Sequence, residues 1–221
     1  MRSRDSSLKS FMELKEYQQK ALERIKRYLE LLKKERDAGN TRHASLDAWQ
    51  AMDLDNYRER QNGLGQDLPN FCLKIPTGGG KTFLAVKAID LINTVYRKRR
   101  TGLVLWVVPT NQIYRQTIEK LRDRNHPYRQ HLDVASGGRT LVLEKTDRFT
   151  PLDAEENLVV LMLMLPSAAR RSKETLRLFR DNGGFQAFFP AEDDVQGHQM
   201  LLERAPNLDT FSGEGSFFWG R

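Results

Sequence analysis

The chain has 221 residues, 39% of them hydrophobic and 29% charged, enough to bury one large core or two small ones. Its 36 Lys and Arg outnumber 29 Asp and Glu, and a pI near 9.6 favours polyanionic partners, nucleic acid foremost. The single cysteine, Cys72, excludes an internal disulfide or a cysteine-based zinc site, and no apolar run can span a bilayer, so a cytoplasmic location without a membrane partner is expected.

Residues 10–38 are predicted as a helix. Ser10 and Glu13 fit a capping box, Leu14, Tyr17, Ala21, Leu22, Ile25, Tyr28, Leu29 and Leu32 recur at helical spacing, and Gly39-Asn40 supplies the stop. Residues 41–69 are polar, with one short helix around Leu46–Met52, and read as a surface insertion. An alternation follows: strand Phe71–Ile75, helix Thr82–Tyr96, strand Leu103–Val108, helix Asn111–Arg124, minor strand Leu141–Leu143, strand Leu158–Leu165 and helix Ser167–Arg180. Unbroken apolar strands separated by amphipathic helices indicate an α/β fold, a parallel sheet sandwiched by helices.

After Asn182-Gly183-Gly184 this rhythm fades. The aromatic cluster Phe217-Phe218-Trp219 is of a kind that normally lies inside a domain, so the polypeptide is expected to continue past Arg221. His43, His126, His131 and His198 lack metal-ligand spacing and are expected at the surface or in loops. Arg97-Lys98-Arg99-Arg100 reads as a solvated helix end whose cations complement the dipole; Arg170, Arg171 and Lys173 are candidates to face nucleic acid.

The strongest chemical signal is Pro76-Thr77-Gly78-Gly79-Gly80-Lys81-Thr82. Small residues let backbone N–H groups turn onto anionic oxygens, and a helix starting at Lys81 directs its dipole at them. A Lys and a hydroxyl then supply charge and a Mg²⁺ ligand, so Lys81 is assigned to the β- and γ-phosphates and Thr82 to the metal. The pattern departs from the full phosphate-loop consensus at Ile75, where a further glycine is expected. A flexible turn before a helix is the competing reading, and the predicted strand and helix on either side weigh against it.

Ile75-Pro76-Thr77-Gly78-Gly79-Gly80-Lys81-Thr82 resembles motif I of superfamily-two helicases and translocases. Leu14-Lys15-Glu16-Tyr17-Gln18 is similar to the adenine-recognising element of that superfamily, which implies Gln18 pairing with the adenine edge beside Tyr17. An amide suits that task because it offers a donor and an acceptor together. Val107-Val108-Pro109-Thr110-Asn111-Gln112 resembles motif Ia, implying that Pro109, Thr110 and Asn111 contact a nucleic-acid backbone. The run Asn70-Phe71-Cys72-Leu73-Lys74-Ile75, with Phe149-Thr150-Pro151 and the apolar stretch 157–165, is similar to the res subunits of type III restriction enzymes.

The resemblance implies a helix with the adenine element at 1–40, the insertion at 41–69, and a first RecA-like ATP-binding motor lobe at 70–221, incomplete at its carboxyl end. It implies ATP and Mg²⁺ as cofactors, double-stranded DNA as substrate and a modification methyltransferase subunit as partner. Such a motor needs an acidic pair at a strand end. The cluster Glu192-Asp193-Asp194 follows Pro190 and reads instead as a solvated loop. The 221 residues are therefore expected to bind ATP but to hydrolyse it poorly. The alternatives are a non-hydrolysing nucleic-acid-binding module that retains the loop, and a small-molecule P-loop kinase, which leaves Tyr17-Gln18 and Pro109-Thr110 unexplained.

Overall fold

The computed structural model describes residues 13–62, 64–165, 186–191, 193–205, 210–213 and 216–219. Ser10 of the predicted capping box, the helix predicted over 167–180, and Arg170, Arg171 and Lys173 lie outside them. The elements are α1 (Glu16–Asp37), α2 (Ala44–Gln50), α3 (Lys81–Leu91) running into a π-helix (Ile92–Arg97), β1 (Gly102–Val108), α4 (Asn111–Arg122), α5 (Pro127–Ser136), β2 (Thr140–Glu144), α6 (Pro151–Glu156), β3 (Leu158–Met164), a 3₁₀ turn (Gln186–Phe188), α7 (Val195–Arg204) and a hairpin of β4 (Thr210–Gly213) with β5 (Ser216–Trp219).

The sheet is parallel, in the order β1-β3-β2, with Leu103 opposite Val159 and Leu141 opposite the same residue from the other side. The apolar run 158–163 predicts a strand covered on both faces, and these residues are buried throughout. Leu158, Val160 and Met162 pack with Val86 of α3, Ile118 and Leu121 of α4 and Leu132 of α5. Val159 and Leu161 face the other way, onto Phe149 and the partly buried Phe188. The stretch Phe149-Thr150-Pro151 has a structural role: Phe149 enters this core, the Thr150 hydroxyl accepts from Asp153 N–H, and Pro151 opens α6.

Phe71–Ile75, predicted as a strand, forms none. No described strand lies beside it, and an apolar run without a hydrogen-bonding neighbour stays extended but unpaired. Its absence leaves β1 at an edge, where Leu103, Leu105 and Val107 are 49%, 54% and 40% exposed on one face. Sheet coverage on both faces therefore holds at β3 and fails at β1.

Helix α1 begins at Glu16, later than predicted. The Gln18 side chain does the capping, its Oε1 accepting from Lys15 N–H at 2.9 Å. Residues 41–69, expected at the surface, contribute core instead: Ala44 and Ala48 of α2 are fully buried against Ile25, Tyr28, Leu29 and Leu32 of α1. Asp67 fastens this stretch to α1. Its buried carboxylate accepts from the Arg36 guanidinium (3.0 Å), from Ser45 N–H (3.0 Å) and from the Ser45 hydroxyl. Breaking such a buried pair by removing one partner costs about 3–5 kcal/mol.

Two histidines are not at the surface. His198 is buried, and its Nε2 bonds the Ala191 carbonyl at 2.9 Å. His131 is buried between α3 and α5, where its Nδ1 accepts from the Lys87 ammonium at 3.1 Å. Burial, with the nearby Lys87 charge, pushes the His131 pKa down to about 4. Of the acidic cluster, Glu192 lies outside the described residues, Asp193 is exposed, and Asp194 accepts from Gly197 N–H as the cap of α7.

Between pH about 6.5 and about 4 the unfolded chain binds a proton at residue 131 that the folded chain refuses, so stability falls as pH drops through this window. His131→Gln should lose less stability than the wild type between about pH 7 and pH 5, measured by urea unfolding midpoints. Equal losses would contradict the neutral, buried imidazole.

Candidate functional site

The glycine loop sits where the extended segment 71–76 turns into α3. Gly78 and Gly80 take left-handed backbone (φ 76° and 78°), which side chains resist, and Gly79 N–H closes the turn on the Pro76 carbonyl at 3.0 Å. Gly80 caps α3 without a side chain, and the first N–H bonded back along the helix is that of Leu84, to the Gly80 carbonyl at 3.0 Å. The N–H groups of Lys81, Thr82 and Phe83 are thus the orphan donors of a helix start, carrying the positive end of the dipole. Lys81 Nζ bonds the Pro76 carbonyl at 3.1 Å and is otherwise exposed, next to those donors. Free N–H groups, an ammonium and a hydroxyl at one helix start fit an oligophosphate with its metal ion.

Gly79 is the pivot. Its carbonyl accepts from the Tyr17 hydroxyl (2.9 Å) and from Gln18 Nε2 (3.0 Å). A Cβ on Gly79 would lie 2.6 Å from Ile75 Cγ2 and 2.9 Å from the Pro76 carbonyl; one on Gly80 would lie 2.5 Å from Gln18 Nε2. Ile75, the departure from the consensus, therefore fills space that a side chain at Gly79 would need. Tyr17 and Gln18, singled out as an adenine element, lie against the loop itself. The oxygen and the nitrogen of the buried Gln18 amide each have one partner among the described residues, leaving one lone pair and one N–H without a described partner.

Pro109, Thr110 and Asn111 are exposed at the carboxyl end of β1, and the Thr110 side chain caps α4 by accepting from Ile113 N–H at 3.4 Å. An apolar cleft of about 430 Å³ has Ile75, Lys81 and Leu84 on one side and Val104 to Val107 on the other. The glycine loop and the end of β1 therefore share one end of the fold.

A polar network at the end of β2 escaped sequence reading. Arg122 bonds Glu144 (2.8 Å) and Asp147 (3.1 Å), and the Tyr114 hydroxyl donates to Glu144 (3.0 Å); burial first, then this bond, pushes the phenol pKa up. Both carboxylates are paired with the one Arg122 guanidinium, and no group of acids and histidines among the described residues could hold a metal ion. Nor is any described helix long and apolar enough to cross a membrane.

The geometry ranks the glycines. Gly79→Ala should destabilise by about 1–3 kcal/mol through forced displacement of Ile75 and the Pro76 carbonyl. Gly78→Ala meets no atom within 4 Å and should cost only its left-handed backbone, about 1 kcal/mol. Chemical denaturation of both variants checks the order; the reverse ranking would contradict the packing of Ile75 on Gly79.

No curated protein and no solved structure matches the chain. A family model does, that of the type III restriction enzyme res subunit, over residues 11–183. The match takes in α1, the glycine loop and all three strands of the parallel sheet, the core of a helicase-type motor domain. The chain belongs to the family of type III restriction enzyme res subunits.

Proposed function

We propose that this chain is the ATP-binding first motor lobe of an ATP-dependent DNA helicase or translocase, working within a type III restriction endonuclease. The observation that carries the reading is the glycine loop, with its free N–H donors at the start of α3 and its carbonyl held from α1. MgATP is bound by residues 76–82: the N–H groups of the loop and helix start take phosphate oxygens, Lys81 the β- and γ-phosphates, and Thr82 the Mg²⁺. When bound, the metal neutralises charge between phosphates. The spare donor and acceptor of Gln18 match the adenine edge, with Tyr17 beside it.

DNA, double-stranded in this reading, contacts Pro109, Thr110 and Asn111 through its backbone, using N–H groups at the start of α4 without reading bases. Because Lys81 and Val107, two residues before the turn, line one cleft, nucleotide state and DNA grip can be coupled over a short path. A modification methyltransferase subunit is the partner, the location is cytoplasmic, and residues 1–40, 41–69 and 70–221 form the helix, the insertion and the motor lobe. Turnover by these residues alone is slow, since Lys81 and Thr82 bind phosphate in the ground state and an arginine finger can be worth about 10³–10⁵ in rate. A small-molecule kinase is disfavoured by the family match.

Fluorescent ATP analogue binding in the presence of Mg²⁺ tests the reading. The wild type should bind and Lys81→Ala should bind at least about tenfold more weakly, the loss of a charged hydrogen bond of about 1.5–3 kcal/mol. Equal affinity would remove the loop from nucleotide binding.

A further inference from the structure

The second region of interest lies at the far end of α1. From its start beside the glycine loop this helix runs 22 residues, or about 33 Å, to Asp37. There it meets the end of the π-helix and the stretch 41–69 around an open cleft of about 630 Å³. Five cations line the cleft, Lys33, Arg36, Arg97, Lys98 and Arg99, against two carboxylates, Asp37 and Asp67. Lys33 is paired with Asp37 and Arg36 with Asp67, which leaves three uncompensated positive charges. Two helix carboxyl ends point this way and contribute about half a negative charge each, too little to cancel the surplus.

These three cations are held rather than trailing. The helix widens into its π-turn at Ile92–Arg97, an uncommon geometry that often marks functional sites. Asn93 within it is buried and accepts from Arg97 Nη1 at 3.2 Å, while its own Nδ2 has no partner among the described residues. Arg97 Nη1 also donates to the Thr101 carbonyl at 3.2 Å, and the guanidinium lies across Gly102, where a Cβ would come within 2.5 Å of it. Arg99 N–H bonds the Asn93 carbonyl at 3.1 Å. Lys98 between them adopts left-handed backbone, φ 53°, a conformation that costs an ordinary side chain energy and persists where its surroundings impose it. Lys98 and Arg99 are exposed, and neither side chain makes a hydrogen bond or ion pair with a described residue.

We propose that this cleft is a second nucleic-acid backbone site, distinct from the turn at 109–111, in which Arg97, Lys98 and Arg99 take phosphates of a duplex irrespective of sequence. The inference rests on the reading that the chain acts on DNA and extends it: the duplex is gripped at both ends of the lobe. Nucleic acid is favoured over an acidic peptide because the cleft is open and three of its five cations, Arg97, Lys98 and Arg99, are consecutive, a row suited to successive phosphates, with Pro69 and Tyr96 the apolar part of a mostly polar and charged lining.

The double variant Lys98→Gly/Arg99→Ala tests it. Glycine accepts the backbone at residue 98 and both side chains are exposed, so folding is expected to be retained, with thermal unfolding as the check. Duplex binding is measured as a function of salt for two unrelated sequences. The log–log salt slope should fall by about 2, and affinity in low salt should drop on the order of 10- to 100-fold for both sequences, with ATP-analogue binding unchanged. A well-folded variant with unaltered affinity and slope overturns the inference and leaves the proposed function standing. A wild type that binds no duplex removes both.

Discussion

The carbonyl of Gly79 is the point on which the rest of this molecule turns. It accepts two hydrogen bonds from residues 61 and 62 positions upstream, so the phosphate-loop geometry is set by where α1 lies. Each bond is worth only about 0.5–1.5 kcal/mol net, but the carbonyl belongs to a buried residue and losing both donors would leave it unsatisfied. The placement of α1 is in turn over-determined: Ile25, Tyr28, Leu29 and Leu32 pack onto α2 and the α3–π-helix rod, and Arg36 is locked to Asp67 at the far end. A substitution in the apolar seam of α1 would therefore act on the loop from a distance, without touching it.

The two proposed anion sites, at opposite ends of α1, would draw on different physics. At the glycine loop the positive field comes from unpaired backbone N–H groups at a helix start, compact and directional, suited to a phosphate chain held at close range. At the opposite end it comes from long side chains on a fixed turn, against the helix dipole rather than with it, suited to a backbone that slides past. Between them, β3 holds the sheet together through burial on both faces, while β1 keeps Leu103, Leu105 and Val107 in the open.

Much of the local structure around the candidate site was legible in sequence because its signals are local. Gly-Gly-Gly-Lys-Thr before a helix, Pro109-Thr110 at a strand end and the apolar runs 103–108 and 158–163 each carry their meaning within a few residues. What escaped depends on partners distant in sequence. Phe71–Ile75 has the composition of a strand, but pairing needs a neighbour, and none of the described strands is one. Gln18 reads as a ligand contact, and its bonds to Lys15 and Gly79 could not be inferred from spacing. His131 and His198 look like surface histidines until α3 and the Ala191 carbonyl close over them. The short helices α5 and α6 were missed although Pro127 and Pro151 open them, because a proline in a polar stretch reads first as a turn. Polarity likewise disguised residues 41–69, whose buried contribution rests on Ala44, Ala48 and the paired Ser45 and Asp67.

The most direct measurement is an amide-resolved NMR titration of the wild-type chain with ATP in the presence of Mg²⁺. Shifts should concentrate in the backbone N–H groups of Lys81 to Phe83 and in the side-chain amide of Gln18, because the unbonded donors of the helix start and the group that holds Gly79 sense the phosphates together. Saturable binding with these resonances unmoved, or no binding at all, would contradict the glycine loop as the triphosphate site.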